Sequence, residues 1–229
     1  MQMSRLRFQA LPAERSDLMQ CTSLMPGVAG AALLVACSIV TGGALAGALT
    51  IQVNDAAGQP VVDAVVYAEA AGGQILPKST RAAEIEQKAR KFAPLVTVVQ
   101  AGSEISFPNN DTVRHHVYSF SAAKIFELKL YSGTPGSPVV FDKPGTVVVG
   151  CNIHDQMVAY IQVVNTPYFA RTDASGKAKI DAVAPGKYTL KYWHYKTPAP
   201  TQIQEQPLIV TAADAVVPLK LSPKPAGAN

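Results

Sequence analysis

The chain has 229 residues, 48% of them hydrophobic and 16% charged, with a formal net charge of +4. That length and balance allow one or two domains with a real core, and they exclude a disordered chain. The small net charge, without a long Lys/Arg run, argues against nucleic acid as the main partner.

Met1 to Gln20 is polar and carries Arg5, Arg7 and Arg15. Val28 to Ala46 then has no charge and is rich in Ala, Leu, Val and Gly. Ala44-Leu45-Ala46 closes it with small residues at the spacing a signal peptidase needs. Residues 1–46 are therefore expected to be an export signal cleaved after Ala46, which places the mature protein in the periplasm. Arg5 and Arg7 are not adjacent, so a twin-arginine signal is not supported. Two alternatives leave the protein anchored on the outer face of the inner membrane. One retains the apolar segment as an anchor of about 19 residues. The other reads Leu34-Val35-Ala36-Cys37 as a lipoprotein signal with Cys37 lipidated. Membrane contact is expected only in those two cases.

Cleavage removes Cys21 and Cys37 and leaves Cys151 alone. An exported protein with one unpaired cysteine needs a reason for it, because thiols there are oxidised or paired. A metal-bound thiolate is one reason, and a buried inert thiol is the plain alternative.

Frequent Val, Thr, Gly and Pro with closely spaced turn signals predict an all-β chain. Leu49, Ile51 and Val53 alternate with polar residues, as in a strand with one buried face. Asn54 to Pro60 is a turn, and Val61 to Ala68 a second strand broken by Gly72-Gly73. Thr80 to Lys91 is polar and could pass for a short helix, but it lacks a clear apolar face and is expected to be an extended edge segment. Leu95 to Val99 and Glu104 to Pro108 are strands joined by the turn Gln100 to Ser103. Asn109 to Arg114 is a loop that leads into the strand His116 to Phe120. After a Gly/Pro/Ser-rich loop, Ser132 to Pro138, come a short strand Val139 to Phe141 and a strand Thr146 to Gly150. Val158 to Val164 is a buried strand. From Asn165 the pattern changes: turns fall at Thr172 to Gly176 and Ala184 to Lys187, Tyr188, Leu190 and Tyr192 alternate on one face, and Leu208 to Val210 and Val216 to Leu221 close the fold. The tail from Ser222 is expected to fray.

The chemistry concentrates in Gly150-Cys151-Asn152-Ile153-His154-Asp155-Gln156-Met157. This stretch offers a thiolate, an imidazole and a thioether, and His115-His116 lies upstream behind Asn109-Asn110-Asp111. A thiolate, two imidazoles and a weak axial methionine suit a mononuclear electron-transfer copper site. Cys151 ends a Val-rich strand, so the short loop after it can offer His154 and Met157 to the same ion, with a histidine from another strand. The apolar flanks Val147 to Val149 and Val158 to Val164 would shield the sulfur.

Cys151-x-x-His154-x-x-Met157 resembles the C-terminal ligand loop of cupredoxins, the plastocyanin and amicyanin family, with gaps most similar to amicyanin. Asn109-Asn110-Asp111-x-x-x-His115-x-Val117 resembles the family's upstream motif, and its spacing places the ligand at His115. The resemblance runs from about Thr80 to Val164. The longer strings around His115 and Cys151 are also similar to exported plastocyanin-like proteins labelled methylamine-utilisation proteins, a label that does not establish a pathway. The resemblance implies a Greek-key sandwich binding one copper ion, Cu(I)/Cu(II), through His115, Cys151, His154 and Met157. It implies single-electron transfer with a protein redox partner, an unidentified dehydrogenase or cytochrome, and His154 as the exit edge. His116 is expected beside the ligands or at the surface, and His194 packed or at the surface.

The pieces Leu49 to Ala68 and Thr172 to Tyr192 resemble two parts of a transthyretin-like or carboxypeptidase-regulatory-like sandwich. The expected organisation is a cupredoxin at 80–164 inserted into an Ig-like, transthyretin-like β-sandwich made of 47–79 and 165–221, with a tail at 222–229. No catalytic residues are expected, because no Ser/His/Asp set or carboxylate pair stands out and four histidines are too few for a second copper centre. The alternatives to an electron carrier are a copper-handling protein and an interaction module with a vestigial site.

Overall fold

The computed structural model describes residues 46–197 and 203–223. The expected export signal, apart from its last residue, and most of the expected tail lie outside them. The described chain is built of strands, with one turn of 3-10 helix at Ala71–Gly73 and no α-helix among the described residues.

The alternation in Gly47–Asn54 buries Leu49, Ile51 and Val53 and leaves the residues between them part-exposed. This strand is the middle of a three-stranded sheet, antiparallel to Lys177–Val183 and parallel to Ala215–Lys220. A four-stranded sheet, in the order Phe169–Arg171, Val65–Ala70, Gly186–Trp193 and Gln204–Val210, supplies the other side of the same core. Ile51, Val66, Leu190, Val210 and Leu219 meet there. The first core therefore draws strands from both ends of the described chain.

The strand expected from Val61 begins instead at Val65. Asp63 takes a left-handed conformation (φ 62°), and Thr172 Oγ1 accepts the Ala64 N–H at 2.8 Å while donating to Val61 O at 2.7 Å. A side chain thus takes the place of ladder partners over these residues. From Val65 the strand is buried on both faces. Val66 and Ala68 enter the first core, whereas Val65 and Tyr67 join Trp193, Val96 and Val164 in a seam. The period of two in side-chain direction assigns alternate residues of one strand to different packing partners.

The second core lies inside a five-stranded sheet in the order Val96–Gln100, Val158–Val164, Gly145–Cys151, His115–Ser121 and Lys124–Tyr131. A three-stranded sheet of Val139–Phe141, Ser103–Ser106 and Ala83–Glu84 contributes Phe141, Ile105 and Ala83 to it. Thr80 to Lys91 is extended, as its missing apolar face implies: Ala83–Glu84 pairs with Ser103–Ser106, and Glu86–Lys88 forms a hairpin with Lys91–Ala93. The hairpin turns at Ala89 and Arg90, both left-handed (φ 51° and 56°), as a two-residue turn that follows strand twist requires.

Three strands go beyond the sequence reading: Lys124–Tyr131, Phe169–Arg171 and Lys177–Val183. Lys124–Tyr131 carries apolar residues on both faces, with Phe126 and Leu128 against the core and Ile125 exposed on the other side. That mixture hides its period.

Candidate metal centre

Alternation along Gly145–Cys151 turns Val147, Val149 and Cys151 into the second core. Cys151 pairs across the ladder with Val117 of the neighbouring strand His115–Ser121. The loop after it closes on its own backbone. Cys151 N–H donates to Met157 O at 3.2 Å, and Met157 N–H donates to His154 O at 2.9 Å. The chain then leaves through Val158–Val164, paired back onto Gly145–Cys151. This short return keeps His154 beside the strand end that carries the thiol.

His115 opens its strand and is 0% exposed. Its loop is organised by Asn109, whose side chain is buried and fully engaged. Asn109 Nδ2 donates to Val113 O at 3.0 Å and to Tyr131 O at 2.8 Å, and its Oδ1 accepts the Asp111 N–H at 3.0 Å. Its backbone is paired in both directions with Gly133. Asn110 instead faces outward and donates to Glu86 Oε1 at 2.9 Å. Tyr131 donates from its hydroxyl to Phe107 O at 2.6 Å, and burial pushes its pKa up to about 12.

These elements bring one donor atom each from His115, Cys151 and His154 within 4.8 Å of one another. Cys151 Sγ lies 3.7 Å from His115 Nδ1 and 3.8 Å from His154 Nδ1. An ion bound by imidazole at roughly 2.0 Å and thiolate at roughly 2.3 Å spaces N and S about 3.7 Å apart at 120°, and about 3.5 Å apart at the tetrahedral angle. The observed spacings fit a trigonal arrangement, and two imidazoles with one thiolate match the donor set of a His₂Cys copper site. Cys151 is 3% exposed, whereas His154 is part-exposed between the exposed residues Asn152, Ile153, Asp155 and Gln156.

Met157 is 1% exposed and belongs to the same packed group as Cys151. His116, one residue after His115, points to the other face of the strand, with Nε2 2.9 Å from Glu127 Oε1. His194 is far from the cluster in chain and role. It is packed, with Nε2 3.1 Å from Val62 O and Nδ1 accepting the Lys196 N–H at 3.1 Å.

The sequence reading gave Asp111 no part at the site beyond its place in the loop motif. Its Oδ2 lies 3.0 Å from His115 Nε2, on the side of the ring away from Cys151, and also accepts the Arg90 N–H at 2.7 Å. The Arg90 bond first, and His115 next, hold the carboxyl down to about 2. An acidic residue four positions before a candidate ligand was the available signal, but its acceptor role depends on a hairpin tip distant in sequence.

A family model described as polysaccharide lyase family 4, domain II, matches residues 144–216, less than half of the chain. No curated protein matches the sequence. Among solved structures, a purple cupredoxin from Nitrosopumilus maritimus is similar at 21% identity and TM-score 0.32, over 36% of this chain and 99% of that one. An amicyanin is similar at 17% identity and TM-score 0.33, over 44% of this chain and 99% of that one. A copper-containing nitrite reductase from Thermus scotoductus is similar at 22% identity and TM-score 0.34, over 50% of this chain but only 28% of that one.

Proposed function

We propose that this chain is an exported, cupredoxin-like protein that binds one copper ion of type 1 character and passes single electrons between protein redox partners in the periplasm. The observation that carries the reading is the donor spacing: one thiolate flanked by two imidazole nitrogens at 3.7 and 3.8 Å. The ion would supply the one-electron couple, and everything else falls to the protein.

His115 and Cys151 sit at adjacent strand ends, so the ladder fixes the distance between them. The loop bonds of Cys151, His154 and Met157 fix the third donor. Donors held this way change place little between oxidation states, which keeps the reorganisation cost of electron transfer low. Val147, Val149 and Met157 keep water from the sulfur side. His154 is the part-exposed donor, and its edge is the exit route in this reading. Met157 would be a weak further ligand in this reading. The strands that enclose the first core form a supporting, transthyretin-like module into which the copper-binding sandwich is inserted. The protein has no catalytic role in this reading.

A visible spectrum of the mature protein loaded with Cu(II), with and without reductant, tests the proposal. An intense band that bleaches on reduction and returns on oxidation is expected. A colourless protein that still binds Cu(I) would replace the electron carrier with a copper-handling protein.

A further inference from the structure

We infer that Asp111 is a positioning residue for the metal centre: its carboxylate takes the Nε2–H of His115, which leaves Nδ1 with its lone pair toward Cys151 and favours the oxidised over the reduced ion. The inference rests on the copper reading above and assigns a residue that the ligand set does not include.

The geometry has three parts. His115 is fully buried, so its outer nitrogen needs a protein partner, and Asp111 Oδ2 stands 3.0 Å from it. A carboxylate can only accept, so the contact selects one tautomer, with Nδ1 unprotonated on the Cys151 side. The carboxylate is itself fixed. Oδ2 also accepts the Arg90 N–H at 2.7 Å, Oδ1 accepts the Thr112 N–H at 2.8 Å, and the Asp111 N–H binds Asn109 Oδ1 at 3.0 Å.

The second part is the hairpin Glu86–Ala93. Its left-handed tip delivers the Arg90 N–H to Asp111. Its flank is tied to the ligand loop by Asn110 N–H to Gln87 O at 2.9 Å and Gln87 N–H to Pro108 O at 2.8 Å. The extended segment is thus a brace behind a ligand.

The third part is charge. A carboxylate hydrogen-bonded to a ligating imidazole raises the basicity of the ligand nitrogen. Its negative charge also attracts a doubly charged ion more than a singly charged one. Removing the charge should weaken Cu(II) binding more than Cu(I) binding.

The test uses Asp111→Asn in the full mature chain, with Asp155→Asn as a control that removes the same charge from the exposed loop beside His154. Nitrogen NMR of the metal-free protein at pH 8 reads the His115 tautomer. Copper(I) and copper(II) titrations and the reduction potential read the loaded state. We expect a single Nε2–H tautomer in the wild type and a mixture in Asp111→Asn. We expect a 10- to 100-fold loss of Cu(II) affinity, and a loss for Cu(I) that is about tenfold smaller. That differential is a rise of about 59 mV for a one-electron couple. Asp155→Asn should leave the tautomer unchanged and move the potential less. An Nδ1–H tautomer in the wild type overturns the inference, even if the variant does not fold. So does an unchanged potential in a folded, copper-loaded Asp111→Asn. Failure of the wild type to bind copper overturns the copper reading instead, and the tautomer still reports whether Asp111 positions His115.

Discussion

Tyr118 lies across the backbone of Gly150, with a ring carbon 3.2 Å from where a Cβ on Gly150 would stand. The two residues are ladder partners, and Gly150 immediately precedes Cys151. Gly150→Ala is expected to push the part-exposed Tyr118 ring outward and strain the strand end. Overpacking of this kind costs about 1–3 kcal/mol, and the part-exposed ring favours the low end. Urea unfolding of the metal-free protein measures the cost. A shifted or broadened thiolate-to-copper band would show that the strain reaches Cys151.

Cys151→Ser removes the only thiol that the described residues contain. The expected outcome is complete loss of the visible charge-transfer band, with the fold retained. Absorption and circular dichroism on the same sample check both. Persistence of the band would overturn the ligand assignment.

Asn109 offers a sharper test of how the ligand loop is held. Its side chain bonds Val113 O, Tyr131 O and the Asp111 N–H. Asn109→Ala leaves these groups unpaired, and each buried unpaired group costs about 1–3 kcal/mol. A total loss of about 2–4 kcal/mol is expected after partial rescue by water. Asn109→Asp should be no milder, because it turns an acceptor toward two carbonyl oxygens. Denaturation midpoints of the metal-free proteins decide, and the copper affinity of both variants should fall as His115 loosens.

His194 carries a pH dependence whose sign follows from its partners. Burial first of all pushes its pKa below the ordinary value of 6.5. Its Nδ1 accepts the Lys196 N–H, a bond that protonation destroys. The unfolded chain therefore binds the proton more readily. The stability His194 contributes is complete above about pH 6.5, and it is lost as pH falls from there toward the lower folded value. Unfolding of the metal-free protein from pH 8 to pH 5 should show a steeper decline in the wild type than in His194→Gln. Parallel curves would show that another group is responsible.

The cluster was legible because its donors sit where local patterns are strongest. Cys151 ends an alternating strand, His154 lies three residues on in a loop that closes on itself, and His115 follows an asparagine that bonds Asp111 and Val113 within its own loop. Asp111 was not legible as a partner of His115, because the contact needs the tip of a hairpin some twenty residues upstream. The start of Val65–Ala70 was misplaced for a similar reason. Its first residues are held by Thr172, more than a hundred positions away, and nothing near Val61 announces it. Lys124–Tyr131 escaped because one of its outward residues, Ile125, is apolar, so the two faces do not contrast.

The strand Val65–Ala70 also bears on how the molecule comes apart. Neighbouring residues of one backbone segment are committed to different cores, Val66 and Ala68 to one and Val65 and Tyr67 to the seam with the other. Loosening that strand strips packing from both sides at once, so neither half has an independent route to melting. Calorimetry should record a single endotherm rather than two. An ion held by His115, Cys151 and His154 should then raise the melting temperature of the entire assembly, including strands that never approach it.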